Sequence, residues 1–294
     1  MLNKVANKIA IIILVLLTLS FTIFATVSYK EAQSVIDAMS KEAKIAGAIS
    51  SEVFVQSYFE DNINTVETFA KTIEKKPSLL EDREALIKEL EKMSTSPASN
   101  GVYVILSSTG ELIAVDNKGD GVLEYVYYSV EKDNYDGRSK EYYKAAINSS
   151  KTTFASPYKD ETTGKTVTTI TTPMIANGKV AGAVATDVFL DDLEQLNSAK
   201  TSDTSLVLAI DMNAKKIVYH PNKDLVMSDS HLANGVVSDY MSNFEKNKNM
   251  AFNYSFGGEE KIAACKKYEA ANWLVCSVNS LSDYDELGNK VLKE

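Results

Sequence analysis

The sequence predicts an α+β fold: an N-terminal transmembrane helix that continues into a long helix, then two tandem modules built on antiparallel sheets. Three observations predict it. Ile9 to Tyr29 are 21 consecutive uncharged residues. From Glu31 to Lys76 there is no proline and a single glycine, Gly47, while apolar residues recur at helical spacing. Beyond Gly101 the apolar pattern changes to alternation, and the alternating plan then occurs a second time.

Composition agrees with long regular elements. Thirteen glycines and five prolines among 294 residues leave little for extended loops. Forty acidic against 31 basic residues give a net charge of −9, which argues against a nucleic-acid-binding face.

A helix rises about 1.5 Å per residue and a bilayer core is about 30 Å thick, so the run at 9–29 is long enough to span. A cleaved signal peptide would show an apolar stretch of about 7–15 residues and an A-x-A-like site. This run is longer and no such site follows it cleanly, so an uncleaved anchor is expected. Lys4, Lys8 and the amino terminus flank one end, whereas Lys30 is offset by Glu31 at the other. The positive-inside rule then places residues 1–8 in the cytoplasm and residues 30–294 outside.

The long helix reads through Val35, Ala38, Met39, Ile45, Ala46, Ile49, Val53, Phe59, Ile63, Val66, Phe69 and Ile73, interrupted once by Glu42. Pro77 and Ser78 stop it. Glu81 to Met93 follows as a shorter helix and Ser94 to Asn100 as a polar loop, so that residues 30–96 form one helical region. An amphipathic helix of this length needs a partner surface, which predicts a homodimer through residues 31–75.

Val102, Val104 and Leu106 alternate, and Ser108-Thr109-Gly110 turns the chain into Leu112 to Val115. Lys165 to Met174 and Lys179 to Thr186 flank Asn177-Gly178, a hairpin signal. Val188 to Leu196 reads as a short helix. The second half repeats this: Leu206 to Ile210, a turn at Asp211 to Ala214, then Lys216 to Tyr219. Lys261 to Tyr268 and Trp273 to Val278 come next, around Ala270-Ala271. The stretch from Asp187 to Leu193 also has a counterpart in Ser282 to Leu287. Modules at 97–199 and 200–280 result, and residues 281–294 read as a closing helix.

A membrane helix, a very long helix and two sheet modules in tandem resemble the double Cache (tandem PAS-like) sensor region of bacterial methyl-accepting chemotaxis receptors, over about residues 30–290. The resemblance implies that the membrane-distal module, 97–199, holds the ligand and that the membrane-proximal module, 200–280, relays. It also implies that residues 281–294 lead toward a second membrane span, a HAMP segment and a signalling domain, a region absent from this chain through which signalling partners act.

Seven of the 15 tyrosines lie between residues 125 and 158. Tyr125, Tyr127 and Tyr128 read as one strand face. Amino-acid-binding members of the family carry a Tyr, then Arg-x-Trp-Tyr, then Tyr-x-Asp, and a final Asp. This sequence has Tyr135, Lys140-Glu141-Tyr142-Tyr143, Tyr158-Lys159-Asp160 and Asp187 in that order. It departs twice, with Lys140 where Arg is usual and Tyr142 where Trp is usual. The resemblance implies that Lys140 holds a ligand carboxylate, that Asp187 with Asp160 or Tyr158 accepts from a ligand ammonium, and that Tyr135, Tyr142 and Tyr143 wall the site. Bland readings stay open beside these. Asp187 suits a helix N-cap, and Lys140 and Asp160 suit a solvated surface. A simple carboxylate would need Lys140 and the tyrosines but not Asp187.

Cys265 and Cys276 are the two cysteines, placed symmetrically about the Ala270-Ala271 turn. In a hairpin they face each other. They are either a disulfide, favoured outside the cytoplasm, or two small buried hydrophobes. His220 and His231 sit in no metal or nucleophile motif, and no P-loop is present, so no catalytic residue, metal or cofactor is expected. The expected function is a periplasmic sensor in the bacterial inner membrane, not an enzyme, for a small amino acid or organic carboxylate. The same sensor can feed a histidine kinase or diguanylate cyclase. A different class is an adaptor that recognises a loaded periplasmic binding protein.

Overall fold

In the computed structural model, which describes residues 2–95, 100–160, 164–197, 202–247 and 251–284, helix α1 runs unbroken from Leu2 to Lys75. Its 74 residues extend about 110 Å. It contains one stretch apolar enough to cross a membrane, and the side chains of Ile9 to Tyr29 are exposed on all sides. At Lys76 the chain leaves the helix, and Pro77–Leu80 forms a single 3-10 turn with proline in its first turn. Helix α2, Arg83–Ser94, begins at Asp82, whose carboxylate accepts from Ala85 N at 3.0 Å.

The first sheet holds β1 Gly101–Leu106, β2 Leu112–Asn117, β3 Leu123–Tyr128, β4 Thr153–Phe154, β5 Tyr158–Lys159, β6 Thr166–Ala176 and β7 Lys179–Phe189. Its order is β3-β2-β1-β7-β6-β4, with β5 also pairing β6, and every ladder is antiparallel. Asn177 and Gly178, both at positive φ, turn β6 into β7. Between β3 and β4 lie the single turn α3, Val130–Asp133, and helix α4, Glu141–Ser149. The second sheet holds β8 Leu206–Asp211, β9 Lys216–Tyr219, β10 Phe252–Phe256, β11 Glu259–Tyr268 and β12 Trp273–Ser280, in the order β10-β11-β12-β8-β9. Helix α5, His231–Asn247, connects β9 to β10.

Both sheets rest one face on α1. Val55, Phe59, Val66, Phe69 and Ile73 of the helix join one apolar core with Val102, Val104, Val184 and Val188 of the first sheet and Val207, Trp273 and Val275 of the second. Phe59 is the joint, fully buried among Phe154 on one side and Tyr268 and Trp273 on the other, with ring centroids 5.3 to 5.9 Å away. Nearer the apolar end the helix presents small and polar residues instead. Ser40, Ala48 and Ser51 are buried, and Lys44, 4% exposed, donates to Asn279 Oδ1 and, at 3.4 Å, to Ser277 Oγ. Asn279 in turn donates to Asp283 Oδ2 at 2.7 Å.

Two expectations change here. The stretch from Val188 is not yet helical: Val188 and Phe189 remain in β7, paired with Thr168 and Val167, and 3-10 turns begin only at Leu190. Asp187 is therefore a strand residue and caps no helix. Of the closing helix expected over 281–294, residues 285–294 lie outside the described residues.

Candidate functional site

The outer face of the first sheet, away from α1, can be read row by row from its register. Tyr103 of β1 faces Ala114 of β2 and Ala185 of β7, and Ala185 faces Thr171 of β6. Two residues along each strand the next row has Asp116, Gly101, Asp187 and Thr169. Alternation puts all of these on one side of the sheet. Tyr103, Ile105, Leu112, Ala114, Ala183 and Ala185 of this face form an apolar cluster with Tyr143 and Ala146 of α4, with Tyr135 and Tyr142 packed against it.

Asp187 is the chemical centre. Its Oδ1 accepts from Thr169 Oγ1 at 2.6 Å, Tyr103 OH at 3.0 Å and Tyr158 OH at 3.4 Å. Tyr158 OH also lies 2.9 Å from Thr169 Oγ1. Because the single Thr169 proton goes to Asp187, the one Tyr158 proton is shared between Thr169 Oγ1 and Asp187 Oδ1. Burial pushes the Asp187 carboxyl up to about 6. The Thr169 and Tyr103 hydrogen bonds oppose the shift, while the negative charges of Asp160 and Asp116 add to it. Among the described residues no lysine or arginine forms an ion pair with Asp187. Burial likewise holds the phenols of Tyr103, Tyr142 and Tyr158 protonated well above their ordinary range, so all three enter as neutral donors.

The aromatic wall extends from there. Tyr142 meets Tyr103 edge-on at 6.0 Å, and its hydroxyl lies 3.3 Å from that of Tyr135. Lys140 stands at the N-terminus of α4 with Nζ 5.0 Å from the Tyr135 ring centroid, a cation–π contact. Tyr135 also packs on Tyr128, at 5.2 Å. The anionic Asp187 and the cationic Lys140 thus belong to one chain of touching rings, with Tyr103, Tyr142 and Tyr135 between them.

The residues expected from the sequence divide accordingly. Tyr135, Lys140, Tyr142, Tyr158 and Asp187 come together. Tyr143 shares the cluster, but its hydroxyl is engaged 2.8 Å from Ser107 Oγ, at the other end of β1. Asp160 sits in the β5–β6 connection, with its backbone bonded to Lys165 and Gly164, and influences Asp187 as a nearby charge. Arg138, two residues before Lys140, is committed elsewhere. It forms a two-pronged pair with Asp136, at 2.8 Å on each prong, and reaches Ser107 O at 3.2 Å. Tyr125 and Tyr127 belong to the opposite face of β3, where Tyr125 donates to Glu91 and Arg83 covers the Tyr127 ring.

Tyr103 and Thr169 are the residues that sequence reasoning missed. The alternation of Val102, Val104 and Leu106 already implied that Tyr103 points the other way. Pairing Thr169 with Asp187 needs the register, which single strands do not carry. In the second sheet Cys265 and Cys276 are directly opposed partners, and their sulfurs lie at bonding distance, 2.04 Å.

A family model described as a Cache domain, in its double form, matches residues 28–287. Among curated proteins, the methyl-accepting chemotaxis protein TlpB of Bacillus subtilis is 23% identical over 280 residues, covering 95% of this chain and 39% of that protein. The methyl-accepting chemotaxis protein PscA of Pseudomonas syringae is 23% identical over 225 residues, covering 76% of this chain and 33% of that protein. The chain therefore spans about a third to two-fifths of the length of these relatives. Among solved structures, the sensory domain of the Campylobacter jejuni chemoreceptor Tlp3 with isoleucine bound superposes with a TM-score of 0.66 at 20% identity, over 86% of this chain and 98% of that one.

Proposed function

The chain belongs to the Cache domain family, and from that membership we propose that it is the ligand-sensing region of a chemotaxis receptor. It is anchored in the bacterial inner membrane by residues 9–29, with residues 30–294 in the periplasm. The ligand is an amino acid, bound by the module at 97–199. Asp187, with Tyr158, takes the ligand ammonium, Lys140 its carboxylate, and Tyr103, Tyr135 and Tyr142 wall it. The module at 200–280 relays. A small displacement of α1 carries the signal to the membrane, and a homodimer along residues 31–75 carries it across.

One observation supports this most: Asp187 has three hydroxyl donors but no cationic partner among the described residues, beside a ring wall that ends at Lys140. Hydroxyls orient a carboxylate without neutralising it, so a ligand ammonium gains a charge-assisted bond. Ligand binding biases output only through differential affinity for two positions of the helix. In thermal-shift measurements on the purified chain, Lys140→Ala removes the stabilisation given by the ligand. Asp187→Asn also removes it for amino acids but would spare a simple organic carboxylate. An unchanged shift in Lys140→Ala takes Lys140 out of the site. An Asp187→Asn variant that still binds amino acids rejects the amino-acid reading.

A further inference from the structure

The row that holds Asp187 contains a second carboxylate, with only a glycine between the two. β2 pairs with β1 so that Asp116 faces Gly101, and the β1–β7 register, which pairs Tyr103 with Ala185, puts Gly101 beside Asp187 two residues further along. Thr186 Oγ1, donating to Gly101 O at 2.7 Å, fixes that neighbourhood. Gly101 has φ +140, and a Cβ there would stand 2.8 Å from Asp116 Oδ1 and 2.8 Å from Asp116 Cα. Asp116 Oδ1 therefore lies against the glycine, in space that any side chain at 101 would crowd. On its other side Asp116 faces Glu124 of β3, and Lys118 bridges the two, at 3.3 Å from Asp116 and 2.7 Å from Glu124.

Glu124, Asp116 and Asp187 follow one another along this row, with Lys118 the cation that bridges the first two. Strands two positions apart place the Cα atoms of Asp116 and Asp187 about 10 Å from each other. Side chains stand roughly perpendicular to a sheet, so the two carboxylates rise from the same face on either side of Gly101, and a ligand laid across them with two cationic groups several carbons apart can reach both.

We propose that Asp116 is a specificity-determining residue and that the ligand is a basic amino acid, its α-ammonium on Asp187 and its side-chain ammonium or guanidinium on Asp116 across Gly101. The inference rests on the amino-acid reading above and sharpens it. Lys118 is then an internal competitor for Asp116, and the ligand cation displaces it from that carboxylate.

Calorimetry on the full chain in detergent, with L-lysine, L-arginine, L-norleucine and L-isoleucine as probes, tests this. Norleucine keeps the length of lysine and lacks its terminal charge. Lysine or arginine should bind more tightly than norleucine by about tenfold or more. Asp116→Asn should remove that advantage and leave the norleucine affinity within about twofold. Lys118→Gln, which removes the competitor, should increase the advantage, a direction that a merely structural role would not produce. Norleucine binding as tightly as lysine and arginine, or an Asp116→Asn variant that weakens all probes alike, overturns the assignment and leaves the amino-acid sensor standing. If no α-amino acid binds, the sensor reading fails, and this inference fails with it.

Discussion

On β7 of the first sheet the outward row reads Ala183, Ala185, Asp187; on β12, which holds the same place in the second sheet, it reads Leu274, Cys276, Val278. The partners differ in step. Asp187 faces Thr169, whereas Val278 faces Ala263; Tyr103 stands at the third residue of β1, whereas Leu208 stands at the third residue of β8. Over the second sheet, α5 lowers Ala233, Val236, Val237 and Tyr240 onto a mainly apolar surface, giving a second core. Over the first, the shorter α4 and two alanine-sized steps leave tyrosine hydroxyls and a carboxylate on the corresponding face. One fold thus uses the same face once for stability and once at the expense of stability, and the inner faces, both packed on α1, support the difference.

Removing what the two modules share should have the largest effect. Phe59→Ala empties the joint between Phe154 and the Tyr268–Trp273 pair, and loss of a buried phenylalanine costs about 3–5 kcal/mol. Chemical denaturation should show that loss in both modules together. A variant that unfolds the first module alone would show that the joint belongs to one side.

The disulfide tests the second module by itself. Cys265 and Cys276 are 11 residues apart, and closing a loop of that size stabilises by about 3 kcal/mol. The double Cys→Ala variant should lose roughly that amount by denaturant titration and keep its ligand affinity, because the bridge lies on the apolar face of the other sheet. A fall in affinity equal to the fall in stability would mean that the modules are not separable.

Asp187→Asn should act in the opposite sense. A carboxyl raised to about 6 in the folded state remains protonated where the unfolded chain, near 3.8, has ionised. Stability is thus lost as pH rises from about 4 to 6, and the full penalty, roughly 1–3 kcal/mol, applies above that window. The asparagine variant should be more stable than the parent at pH 7.5, by thermal melting without ligand, and no more stable at pH 4. Amino-acid affinity of the parent should fall about tenfold per pH unit below 6, since a proton competes with the ligand ammonium. A pH-independent affinity would place the ammonium elsewhere.

Much of this contrast was legible in the residues, and the rest was not for definite reasons. Absence of helix breakers between Glu31 and Lys76 was enough for α1, and Asn177-Gly178 was enough for the β6–β7 hairpin. Of the ordered set Tyr135, Lys140, Tyr142, Tyr143, Tyr158, Asp160 and Asp187, five side chains converge, while the Tyr143 hydroxyl is engaged at Ser107 and Asp160 stays in the β5–β6 connection. Val188 to Leu196 looked helical by spacing. A hairpin of two 11-residue strands extends its ladder as far as Phe189, and that cooperative pairing overrides local propensity. Thr169 and Asp116 carried no local signal, because their importance is a matter of which strand lies beside which. Helix α5 did carry one, in Leu232, Val236, Val237, Tyr240 and Phe244 after Ser230, whose hydroxyl accepts from Ala233 N at 3.2 Å; Gly235 and several asparagines dilute it.

The smallest effects belong to single hydroxyls, and there the two modules can be compared atom for atom. Tyr158 in the first donates toward Thr169 and Asp187, so its hydroxyl serves a charge. Tyr254 in the second bonds to the hydroxyl of Tyr240 beneath α5, and among the described residues each serves the other. Phenylalanine at either position should cost about 1 kcal/mol of stability, the net worth of one hydrogen bond. Their effects on binding should differ. Tyr158→Phe leaves Asp187 with two donors and should shift the pH below which ligand affinity falls, whereas Tyr254→Phe should leave the whole pH profile in place. Equal profiles in the two variants would mean that Tyr158, like Tyr254, is only packing, and that Thr169 and Tyr103 alone hold the carboxylate for its ligand.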